Sequence, residues 1–104
     1  TDALMSGAQN KEASEGEIQR RVKIVNKRGL HARAAASFVK LAGEFDAEII
    51  VHKGGNTVSG ISIMGLMMLA AATDCHIDIT ATGPQAAEAM AALERLVADR
   101  FGEE

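Results

Sequence analysis

His31 is the side chain with the clearest chemical potential in this 104-residue sequence. It follows Gly29-Leu30 and precedes Ala32-Arg33-Ala34, where an Ala-rich segment with helical periodicity begins. The first N–H groups of a helix have no intrahelical acceptor, so those of Ala32, Arg33 and Ala34 are available to an anion, and the helix dipole adds partial positive charge there. Arg33 contributes a fork of donors that matches phosphate oxygens. A neutral imidazole at this mouth keeps one ring-nitrogen lone pair, which is what a nucleophile needs. The group reads as an anion site built around a histidine nucleophile. The simpler alternative is a cap residue beside a solvated arginine. No Asp or Glu stands close in sequence to orient the ring as in a triad, which makes hydrolytic chemistry the weaker option.

Ser62 opens a second segment of interest, Ile63-Met64-Gly65-Leu66-Met67-Met68-Leu69. A serine hydroxyl at a helix start accepts a first-turn N–H, which is worth about 1 kcal/mol. The helix after it is apolar nearly all round, so one face packs inward and the remainder meets solvent or a partner. His52 and His76 fall on the solvent-facing sides of strands and receive no chemistry. Cys75 alternates with Ile77 and Ile79 and reads as a small core residue rather than a reactive thiol. There is no Gly-rich nucleotide loop, no paired metal-ligand spacing and no basic-aromatic pattern for nucleic acid, so no cofactor, no metal and no nucleic-acid partner is expected.

Positioning these residues falls to a short series of elements. Ile18, Val22 and Ile24 alternate with Arg21 and Lys23 as a strand with one solvated face. Asn26-Lys27-Arg28-Gly29 breaks it, and Ala35, Phe38, Val39 and Ala42 then recur at helical spacing up to Gly43. A second strand runs over 47–53, the Gly54-Gly55-Asn56 turn leads to a third through Val58, and the short helix spans Ile63 to about Leu69. Cys75 to Ala81 is the clearest strand, and Gly83-Pro84 opens a long helix with Ala86, Met90, Leu93 and Val97 inward. The order β-α-β-β-α-β-α predicts an α+β domain with helices on one face of a mostly antiparallel sheet, its strand order open. Residues 1–16 are small, polar and aperiodic, and read as a disordered tail before a domain at 17–104.

Eleven basic and 14 acidic residues leave a formal net charge of −3, but the charges are segregated. Residues 17–40 hold seven basic side chains against Glu17 alone, while 41–104 hold three basic against ten acidic. A basic block in an acidic chain suits a small anion, or an acidic partner, better than a nucleic acid. The single Cys and the absence of Trp and Tyr remove disulfide scaffolds and aromatic stacking platforms. The apolar run Ile61 to Ala72 is too short for a bilayer span of about 20 residues, so the expectation is a cytoplasmic protein with no membrane insertion.

The stretch Asn26-Lys27-Arg28-Gly29-Leu30-His31-Ala32-Arg33, the Ala-rich segment with Phe38 and Val39, and the later Ser62-Ile63-Met64-Gly65-Leu66-Met67 together resemble the HPr family, the histidine-containing phosphocarriers of the bacterial phosphoenolpyruvate-dependent phosphotransferase system. The resemblance covers roughly residues 18–101. It implies an open-faced β-sandwich, with a four-stranded antiparallel sheet covered on one face by three helices. It also implies a phosphocarrier rather than an enzyme, a monomer in which His31 accepts a phosphoryl group on Nδ1 from enzyme I and passes it to an EIIA-type protein. Arg33 and the amides of Ala32, Arg33 and Ala34 would hold the phosphate. Ile63, Met64, Leu66 and Met67 would form the partner surface, where methionine's flexibility suits two different proteins. In some family members the serine matching Ser62 is phosphorylated by a dedicated HPr kinase/phosphorylase. One position departs from the family: proline usually follows the arginine, whereas Ala34 restores a donor N–H at some loss of rigidity. The alternative from another class is a noncatalytic module holding an anion reversibly at the helix mouth.

Overall fold

The computed structural model describes residues 17–103. The expected tail at 1–16 lies outside the described residues. The elements are β1 (Glu17–Lys23), α1 (Ala32–Ala42), β2 (Glu48–Lys53), β3 (Asn56–Ser59), α2 (Ile63–Met68), β4 (His76–Thr82) and α3 (Ala86–Ala98), followed by a 3-10 turn, Arg100–Gly102. The four strands lie in the order β1-β4-β2-β3 with every neighbouring pair antiparallel. Helix α1 packs on α2 and α3, and α3 on β1 and β4. This is the open-faced sandwich expected from the resemblance.

Alternation on β4 sets which face is covered. Ile77, Ile79 and Ala81 are fully buried, while His76, Asp78 and Thr80 between them face the open side. Their partners across the ladder, Val22 and Ile18 on β1 and Val51 and Ile49 on β2, fall on the same covered face because the registers pair Val22 with Ile77, Ile18 with Ala81, Val51 with Ile79 and Ile49 with Ala81. Phe38 of α1, Leu66 of α2, and Leu93 and Val97 of α3 fill the layer above. Each fully buried side chain of this size contributes about 1.5–3 kcal/mol of hydrophobic stabilisation. On the open face the Arg21 guanidinium donates to Asp78 at 3.0 Å and holds that carboxyl below its usual range. The pair is solvated and adds little to stability.

Several details depart from the expectations. Strand β4 begins at His76, so Cys75 precedes it and is only half-buried instead of being a core residue. Val39 is likewise only partly buried, and Ala34 takes the inward place beside Ala35 and Phe38. Pro84 sits in the turn ahead of α3, whose N-cap is Gln85. Gly43 ends α1 with an ordinary helical φ of −72°, its N–H bonded to the Val39 carbonyl at 3.0 Å, so the stop does not use glycine's left-handed freedom.

The reversal after α3 has the largest consequence. Arg100 and Phe101 adopt φ of 57° and 55°, a left-handed geometry that costs a non-glycine residue about 1–2 kcal/mol. Burial of the Phe101 ring to 8% exposure offsets that cost. The turn folds the chain back and brings Glu103 to the N-terminal end of α1. Among the described residues no helix is long and apolar enough to cross a membrane.

Candidate functional site

The loop between β1 and α1 is fixed at both ends by backbone contacts. Gly29 adopts φ +68° and donates its N–H to the Asn26 carbonyl at 3.2 Å, while Leu30 donates to the Ala71 carbonyl at 2.8 Å and buries its side chain. This last bond ties the residues before His31 to the segment after α2, so the two motifs separated in sequence are joined in space. A Cβ on Gly29 would lie 2.5 Å from the Ala71 carbonyl oxygen, which is why only glycine fits this approach.

His31 is the N-cap of α1, with extended backbone (φ −78°, ψ −178°) and its carbonyl accepting the Ala35 N–H at 2.8 Å. Its ring makes no capping bond and turns to Glu103, with Nε2 against Oε2. The side chain is 19% exposed, so the ring is partly covered. Asn26, fully buried, anchors the carboxylate: its Nδ2 donates to Glu103 Oε1 at 3.0 Å and to the Gly29 carbonyl at 2.8 Å. The Asn26 bond chiefly, then His31 and the charge of Arg28, hold the Glu103 carboxyl below its ordinary range, because each favours the ionised form.

Sequence reasoning missed both of these residues. Glu103 lies 72 positions from His31, and nothing in the pattern distinguishes it from the other acidic residues of the second half. Asn26 was visible as a strand breaker and as the first residue of the stretch that resembles the family, with no role at the site. The absence of a nearby carboxylate in sequence is corrected by the tertiary structure, which supplies one.

Arg33 is exposed and lines an open cleft of about 430 Å³ together with Lys27, Arg28, Phe101, Gly102 and Glu103. The basic block is thus only partly gathered here. Arg21 pairs with Asp78 and Lys23 with Asp74 at 3.5 Å on the sheet, and Lys40 lies in the last turn of α1, away from its mouth. Three of the seven cations line the cleft. Ala32 and Arg33 are exposed, whereas Ala34 is 0% exposed. Its methyl serves the core, and its N–H is covered, so the donor gained by replacing proline does not face solvent.

Ser62 caps α2 as expected, its hydroxyl accepting the Gly65 N–H at 2.9 Å. Ser62→Ala leaves that donor without its partner and is expected to lower stability by about 1 kcal/mol, read as a shift in urea midpoint with unchanged slope. Helix α2 leaves Met64 and Met68 at 71% and 76% exposed, with Ile61, Ile63 and Met67 also open. Leu66, expected on this surface, is instead 0% exposed and packs into the core. Its spacing of three from the buried Leu69 marks the inward edge of so short a helix. Ile61 and Met68 take its place outside.

Comparison with known proteins agrees with this geometry. Residues 18–99 match the family described as PTS HPr component phosphorylation site. The chain is 46% identical over 86 residues to a phosphocarrier protein HPr of Cupriavidus necator, covering 83% of this chain and 97% of that one. It is 38% identical over 88 residues to the phosphocarrier protein NPr of Escherichia coli, covering 84% and 98%. A crystal structure of HPr from Thermoanaerobacter tengcongensis superposes with a TM-score of 0.80 at 40% identity, covering 84% of this chain and 98% of that chain. A family match spanning most of the chain, relatives aligned over nearly their whole length and a shared fold leave one conclusion: this chain belongs to the HPr family of phosphotransferase-system phosphocarrier proteins.

Proposed function

We propose that His31 carries a phosphoryl group on Nδ1, taken from enzyme I and given to an EIIA-type acceptor. The observation that carries this reading is the placement of one imidazole at a helix mouth, beside the exposed first-turn residues Ala32 and Arg33 and a cleft lined by Lys27, Arg28 and Arg33. The Nδ1 lone pair attacks phosphorus as the donor's bond to phosphorus breaks, and that bonding pair leaves with the donor. Transfer onward reverses the roles: the acceptor's lone pair forms the new bond, and the Nδ1–P pair returns to His31. Phosphoryl oxygens meet the Arg33 fork and the amides of Ala32 and Arg33, which stabilise charge by position without enclosing the group. A site this open leaves room for two successive protein partners.

The test is incubation with enzyme I and labelled phosphoenolpyruvate. Acid-labile label approaching one per chain is expected; a chain that stays unlabelled while enzyme I turns over would end this reading in favour of reversible anion binding.

The exposed Ile63, Met64 and Met67 form the apolar face on which both partners dock. Met67→Asp places a charge in that face while leaving the core untouched, and transfer from enzyme I is expected to slow by about tenfold or more, as for loss of an interface anchor. Unchanged rates in a variant with native circular dichroism would remove Met67 from the docking surface. A phosphate on Ser62, placed by a kinase, would sit at the edge of the same face and oppose docking by its charge. Ser62 is half-buried by its capping bond, so modification requires the hydroxyl to leave Gly65.

A further inference from the structure

We infer that Glu103, oriented by Asn26, is the positioning residue that selects the reactive nitrogen of His31. This rests on the reading of His31 as the phosphoryl carrier. The geometry is a three-member chain, buried Asn26 to Glu103 to His31, closed at the far end by the Gly29 carbonyl. A carboxylate accepts and cannot donate when ionised, so the ring nitrogen facing it must carry the proton. That nitrogen is Nε2. In the neutral ring the lone pair is therefore left on Nδ1, for which no hydrogen-bond partner occurs among the described residues. The tautomer and the ring's rotation are set by the same contact, as a buried aspartate sets them in hydrolase triads.

Asn26 makes the arrangement directional. Its Nδ2 has two acceptors, one on the loop that carries His31 and one on the C-terminal turn, so it couples the position of Glu103 to the backbone two residues before the imidazole. Its Oδ1 is buried with no partner among the described residues, a cost that the two hydrogen bonds donated by Nδ2 offset. The reversed turn at Arg100 and Phe101 serves the same end, since it holds Glu103 at 17% exposure where its carboxylate competes less with water for the ring. During phosphorylation the Nε2 proton stays in place while the Nδ1–P bond forms, so the ring becomes cationic. Glu103 balances that charge without touching phosphorus, and the phosphoryl group remains on a protonated leaving group ready for the next transfer.

Two variants separate this role from a merely structural one. Glu103→Ala removes the acceptor, and transfer from enzyme I is expected to fall roughly 10- to 100-fold, the size associated with one charge-assisted hydrogen bond. Glu103→Gln is expected to be slower still despite its closer shape. Asn26 donates to the Gln oxygen, which leaves the NH2 group facing His31 and forces the proton onto Nδ1. Nitrogen-15 shifts of the His31 ring, measured where the ring is neutral, are expected to report the Nε2–H form in the wild type, a mixture in the Ala variant and the Nδ1–H form in the Gln variant. Identical ring shifts in all three proteins, or rates within twofold of each other, would overturn the assignment. The ring shifts need no partner protein, so failure of the phosphocarrier reading appears separately, as absence of label on the wild type.

Discussion

His31→Ala folds normally and takes up no label from enzyme I and phosphoenolpyruvate. Both halves of that outcome follow from the contacts of the side chain. The ring makes no capping hydrogen bond, and its one polar partner among the described residues is Glu103, which keeps the Asn26 donor after the imidazole is gone. The cost to folding is therefore confined to one partly covered, charge-assisted contact, about 1.5–3 kcal/mol, small beside the roughly 5–15 kcal/mol of a typical domain. The loss of function is complete because no other imidazole stands at the helix mouth: Arg33 and the first-turn amides only donate, and the Glu103 carboxylate is engaged by the Asn26 donor. His52 and His76 are the only other imidazoles in the chain. His52 lies on β2 with Nδ1 against the Thr57 hydroxyl at 2.9 Å, and His76 opens β4, both in strands rather than at a helix mouth. Neither has the first-turn amides of a helix beside it. Label retained by a folded His31→Ala chain would relocate the carrier to one of them, whereas loss of label together with loss of the circular dichroism signal would show that the ring is structural.

Gly29→Ala is the substitution expected to damage the fold most for the fewest atoms. The residue sits at φ +68°, where a side chain costs about 1–2 kcal/mol. The added methyl carbon would also lie 2.5 Å from the Ala71 oxygen and 2.9 Å from the Ala72 Cα. Both are backbone atoms and cannot rotate away, so the loop must lift and the 2.8 Å bond from Leu30 to Ala71 must lengthen or break. A strained conformation, a lost buried hydrogen bond and partial exposure of Leu30 together amount to about 3–5 kcal/mol. Gly54 provides the internal control. It also has positive φ, +60°, but a Cβ there meets nothing within 4 Å. Gly54→Ala should therefore lose only the conformational part, about 1–2 kcal/mol. Equal denaturation midpoints for the two variants would show that the close approach of Gly29 to Ala71 contributes nothing. The same lifting displaces His31 two residues later, so Gly29→Ala is also expected to transfer phosphoryl more slowly than its residual folded fraction accounts for.

These two positions differ in how readily the sequence discloses them. His31 was legible because its signal is local: glycine before it, an amphipathic Ala-rich helix after it, and Arg33 two places on. Ser62 was legible for the same reason, since capping is decided within four residues. Gly29 was legible as a breaker, but the Ala71 carbonyl that makes it necessary belongs to a segment more than forty residues away. Leu66 was misplaced because a six-residue helix with apolar residues on every side has no periodicity by which to choose its inward edge. The choice was made by the core beneath it.

The chain's own order of residues determined the elements, the covered face of each strand and the helix mouth at which His31 stands, because periodicity, turn chemistry and helix capping all act over a few residues. It could not determine the strand order β1-β4-β2-β3, the division of the basic block between cleft and sheet, or the partner of the imidazole. Those depend on which surfaces meet after the chain has folded. Glu103 reaches His31 only because Phe101 buries its ring and reverses the backbone beyond α3, and the carboxylate is held there by an asparagine that leaves the sheet at the opposite end of the domain's sequence. A hydrogen bond between residues 72 positions apart is set by three-dimensional packing, and that bond fixes which ring nitrogen of His31 faces the carboxylate and which is turned away from it.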